Sequence, residues 1–159
     1  MSEPGPQPTE ERANNLLVKA ESSFSSGLMD EAVRLYHECS RMFMRLASAA
    51  EEKPRMALFL AKASYCDFMK AYCEAVKLRD AIDKVLASGG EVDPEEVNKL
   101  KALTRLAERC LLETVRRLEK LRSSTPGDAS VMEDVSDVVS LIGKKVEGFL
   151  DFRDGVEHL

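Results

Sequence analysis

The stretch from about Pro54 to Leu86 limits the fold more than any other, because it reads as one long helix with apolar residues on two sides. Ala57, Ala61, Ser64, Phe68, Ala71, Ala75, Leu78, Ile82 and Val85 form one stripe at helical spacing, and Met56, Phe59, Ala63, Cys66 and Cys73 form a second. A helix that is apolar on two sides needs two neighbours to take it out of water. Pro54 suits the first turn of such a helix, and Ser88-Gly89-Gly90 supplies the stop.

One neighbour lies just upstream. Ala13, Leu16, Leu17, Ala20 and Phe24 share a helix face, Ser25-Ser26-Gly27 breaks it, and Ala32, Tyr36, Cys39, Phe43, Leu46 and Ala50 make the stripe of a second helix. Asp30 and Glu31 put negative charge in that helix's first turn, where free N–H groups favour it. So short a connection makes the two helices antiparallel. Thr9 before Glu10 and Glu11 is a cap for the first of them, whereas residues 1–8, with Pro4, Gly5, Pro6 and Pro8, read as a disordered tail.

Two more helices follow. Asp93-Pro94-Glu95-Glu96 combines an N-cap, a proline at N1 and an acid at N3, and opens a helix to about Arg122. Its inner face carries Val97, Leu100, Ala107, Val115, Leu118 and Leu121, with Leu103 or Thr104 and Cys110 or Leu111 between them. Its outer face mixes Lys and Arg with Glu108, Glu113 and Glu119, the pattern of a solvated face laced with ion pairs. After the loop Ser123–Gly127, Asp128 caps a fifth helix whose Val131, Val135, Val138, Val139, Ile142, Val146, Phe149 and Leu150 keep spacings of three and four rather than two.

The expected architecture is therefore all-α, an antiparallel bundle of about five helices. Residues 9–88 would form a three-helix unit, residues 93–152 two further helices on the same core, and residues 153–159 a frayed end. A length of 159 residues is enough for one core without disulfides or metals. Cys39, Cys66, Cys73 and Cys110 all fall within apolar patterns and none pairs as CxxC, so they read as buried thiols, with no metal site and no cofactor. A net charge of −5 disfavours a nucleic-acid binder, and no apolar run is long enough to span a bilayer. The N-terminus lacks the pattern of a signal peptide, so a cytoplasmic location is expected.

The hairpin carries a resemblance. Ala20, Gly27, Glu31-Ala32 and Leu35-Tyr36 are spaced as in a pattern shared by tetratricopeptide repeats and the microtubule-interacting and transport (MIT) domain. Residues 54–88 do not repeat the Gly and Glu-Ala-x-x-x-Tyr signals, which separates the chain from a tetratricopeptide array. The long second helix and Lys70-Ala71 in the third are similar to the MIT arrangement over about residues 10–85. The resemblance implies a non-catalytic interaction module that takes an amphipathic helix or extended segment of a protein partner beside the third helix. The second stripe of that helix then supplies Met56, Phe59, Ala63 and Cys66, and Leu35, Met42 and Ala49 on the second helix supply a matching line. Helices four and five have no place in the MIT pattern and are alternative occupants of the same groove; homodimerisation through an apolar face is a further option.

A second resemblance points to an enzyme. Arg153-Asp154-Gly155-Val156-Glu157-His158 is similar to the Arg-[Asn/Asp]-x3-His signature of HEPN ribonucleases. It implies His158 as acid or base on an RNA 2′-hydroxyl and Arg153 as a phosphate clamp. A terminal position gives such a pair little to hold it rigid, and catalysis needs fixed geometry, so the interaction module is the leading expectation.

Overall fold

The computed structural model describes residues 9–159, so the expected tail at residues 1–8 lies outside the described residues. Five helices account for the fold: α1 (Glu10–Ser25), α2 (Met29–Ala49), α3 (Lys53–Ala87), α4 (Pro94–Ser124) and α5 (Ala129–Glu157). The all-α bundle expected from periodicity is the fold observed, and there is no strand among the described residues.

The local signals act as their chemistry requires. Thr9 Oγ1 accepts from Arg12 N at 3.1 Å, Asp93 Oδ1 from Glu95 N at 2.9 Å and Asp128 Oδ1 from Val131 N at 3.1 Å, so three helices start on side-chain caps. Gly27 and Gly89 leave α1 and α3 at φ values of 76° and 77°, a region that penalises any residue with a Cβ. α5 runs through Glu157 and takes in most of the segment expected to fray, because Val156 is buried with Ala75, Ile82 and Leu100.

Pairings along the helices set their directions. Asp30 meets Lys77, His37 meets Lys70, Ser40 Oγ donates to Asp67 Oδ1 at 2.6 Å, and Phe43 stacks on Phe59 at 6.4 Å, so α2 and α3 run antiparallel. Leu121 shares a cavity with Ala57 and Leu60, whereas Leu100 packs near Ala75 and Ile82, which makes α4 antiparallel to α3. Arg55 pairs with Asp134, Phe68 and Tyr72 meet Phe149, and Arg79 lies beside Gly155, so α5 runs parallel to α3.

α3 is thus the spine. Its Phe59 and Cys66 stripe goes to α2, and its Phe68, Ala75 and Ile82 stripe goes to α4 and α5. The two neighbours demanded by the two apolar sides both come from within the chain. Helices this amphipathic gain most of their stability from such packing rather than from intrinsic propensity.

Candidate functional site

The seven residues expected to line a partner groove do not share one surface. Phe59, Ala63 and Cys66 are buried, Phe59 against Phe43 and Cys66 beside Cys39 of α2. Leu35 is buried at the bottom of a groove between α1 and α2 whose walls are polar, formed by Lys19, Ser22, Glu31, Arg34 and Glu38 among others. Met42 is half-buried against the core, Ala49 is exposed, and Met56 is exposed at the other end of the line. Periodicity places these residues on helix faces, but the face of α3 that carries Phe59 and Cys66 meets Phe43 and Cys39 of α2, whereas Leu35 turns to the α1–α2 groove and Ala49 to solvent.

Met56 is the member of that line that borders a largely apolar cavity, in contrast to the polar-walled groove over Leu35. The first turns of α3 and the last turns of α4 diverge there around a depression of about 450 Å³. Pro54, Met56, Ala57 and Leu60 form one wall and Leu121 the opposite one, with Ser124 and Thr125 at the end of α4. Lys53, Arg117 and Lys120 stand around it. A volume of this size is ample for one or two large apolar side chains, and lies within the usual range of roughly 300–1,000 Å³ for binding pockets.

A second cluster escaped sequence reasoning altogether. Glu21 of α1 is the meeting point of four helices: Tyr36 of α2 and Tyr65 of α3 donate to its Oε2, the latter at 3.0 Å, and Lys145 of α5 donates to Oε1 at 2.8 Å. Lys145 is buried and lies over the Phe24 ring at 5.4 Å. Burial, reinforced by the Glu21 charge, pushes both tyrosine hydroxyls far above the usual phenol range, so they stay protonated donors. Nothing in the sequence sets Glu21 and Lys145 apart from surface charges, because burial of a charge depends on partners distant in sequence. Each of these four side chains has a partner within the cluster, which ties the four helices together.

The Arg153 and His158 pair occupies the far end of α5. Arg153 Nη1 donates to Glu108 Oε1 at 2.8 Å, and its Nη2 lies 3.3 Å from Asp154 Oδ1. Those two acceptors hold its guanidinium above its ordinary pKa. Arg153 lines a cavity of about 90 Å³ with Lys101, Thr104, Arg105, Glu108, Val156 and Glu157; His158, exposed at the end of α5, does not line it. The arginine is spent on carboxylates, and the histidine stands apart from the cavity in which the arginine sits.

Burial pushes the Cys66 thiol up, and takes Cys73 up to about 12, so both stay as neutral thiols. Among the described residues, no group of three or more His, Cys, Asp or Glu is placed to hold a metal ion, and no helix is long and apolar enough to cross a membrane. In comparisons with protein-family models, curated proteins and solved structures, the chain matches none.

Proposed function

We propose that this chain is a non-catalytic interaction module of MIT-like kind, and that its partner-binding surface is the depression between the start of α3 and the end of α4. The observation that carries this reading is the depression itself, an apolar cavity of about 450 Å³ that retains Met56 from the expected contact line and adds Leu60 and Leu121. A partner would lay the apolar side of an amphipathic segment there, with one or two anchors entering the cavity. Met56 suits such a surface, since an unbranched thioether side chain adapts to different anchors.

Of the surface expected from sequence, this site keeps Met56 and lies between α3 and α4 rather than between α2 and α3. Its test is a photo-crosslinking residue placed at position 56, with a control at Val18, which is 67% exposed on α1. The expected result is a crosslink from position 56 to an amphipathic segment of a protein, absent from position 18 and competed by the untagged chain. Equal crosslinking at both positions, or none at position 56, would overturn the placement. Met56→Glu is the companion substitution, because Met56 is exposed; Phe59→Glu would instead put a charge in the core.

A further inference from the structure

We infer that the occupant of the α3–α4 depression is an acidic amphipathic helix, with apolar anchors flanked by Asp or Glu. This rests on the reading of the depression as a partner site and adds the chemistry of the partner. The inference starts from charge. The chain as a whole carries −5, yet the charged residues lining this cavity, Lys53, Arg117 and Lys120, are all cationic. Glu51, Glu52 and Glu119 are close in sequence to those cations and do not line it.

Those cations are under-used inside the molecule. Neither Lys53 nor Lys120 has an ion-pair partner among the described residues. Arg117 Nε lies 3.2 Å from Glu113 Oε1, on a carboxylate that Arg116 also pairs with, but the alignment is too poor for a hydrogen bond and the buried Nε is left without one.

The backbone adds to the same field. α3 begins without a side-chain cap, since Glu52 makes no capping bond, so the first turn of a long helix presents its positive end beside Lys53, Pro54 and Met56. The opposite wall is a helix C-terminus, whose carbonyls would repel an anion. There Thr125 Oγ1 donates to Leu121 O at 2.8 Å, and the positive charges of Arg117 and Lys120 stand on the same wall of the cavity against that repulsion. An apolar floor in a positive rim therefore favours a partner that brings Leu-like anchors and carboxylates together.

The test uses three synthetic helical peptides of about 14 residues, roughly four turns, that share one Leu face and carry Glu, Gln or Lys at the flanking positions. Binding to the full chain is read by fluorescence anisotropy. The expected order is Glu over Gln by roughly fivefold, with the Lys peptide weakest. The Glu advantage should shrink with added salt. A Lys53→Glu/Lys120→Glu variant, both exposed positions, should reverse the order with its thermal unfolding unchanged. Equal binding of all three peptides, abolished by Met56→Glu, would overturn the charge inference and leave the depression as the site. No binding of any peptide up to about 1 mM, or binding that Met56→Glu leaves untouched, would overturn both the inference and the site on which it rests.

Discussion

Glu21 shows how much a single side chain can hold. Its carboxylate receives Tyr36, Tyr65 and Lys145, so α1, α2, α3 and α5 meet on two oxygen atoms. Such a pair adds little against an apolar replacement of both partners, but removing one strands the other in a low-dielectric site. Lys145→Met keeps the stem and deletes the charge; we expect it to cost about 3 kcal/mol in urea unfolding, with Glu21→Gln costing a similar amount. The double variant should lose clearly less than the sum, and strict additivity would mean the two groups do not interact. The buried thiols and phenols make a separate prediction. Their folded pKa values lie above the ordinary ones, so their share of stability is complete below the ordinary thiol value of 9.0 and is lost as pH rises toward the folded values, about 12 for Cys73. The urea midpoint should fall progressively above about pH 9, and Cys73→Ala should flatten that fall.

At the scale of elements, α5 is the piece whose place was hardest to foresee. Its existence follows from Asp128 as cap and from valines spaced three and four apart. Its neighbours do not, because periodicity tells which face is apolar and says nothing of what that face meets. Phe149 goes edge-on to both Phe68 and Tyr72, at 5.2 and 5.1 Å, and Lys145 crosses to a residue 124 positions away. Phe149→Ala should therefore cost about 3–5 kcal/mol by thermal or denaturant unfolding. A loss under about 1 kcal/mol would mean that α5 is not docked on α3. Gly143 sits inside α5 with open space, free of other atoms to 4 Å, where a Cβ would stand, so Gly143→Ala should stabilise by about 1 kcal/mol. The same limit explains the fate of the expected contact line. Leu35, Phe59, Ala63 and Cys66 are apolar as that line requires, but which stripe of α3 meets α2 depends on register, which a single sequence leaves open. Met56 keeps its exposure because it lies in the first turn of α3, where α2 has already turned away and α4 is ending.

The whole molecule is a set of helices hung on one spine. α3 touches α2 through Phe59 and Asp67, α5 through Phe68 and Tyr72, and a mixed cluster of α4 and α5 through Ala75 and Ile82. Opening the centre of α3 thus requires breaking contacts on several sides at once, whereas its last turn and the residues just after it are exposed, from Asp83 to Gly90. Local stability should follow that geometry. Native-state hydrogen exchange should show the amides of Phe59 to Ala75 exchanging only through global unfolding. The amides near Val85 to Glu91 and Ser124 to Ala129 should exchange through local openings that cost several kcal/mol less. Added acidic peptide at the α3–α4 depression would bind the native chain only, and so should slow exchange in the Phe59 to Ala75 segment by the factor that mass action sets. Protection at the first turns of α3 without any change in that central segment would place the peptide on a locally formed surface rather than on the intact bundle.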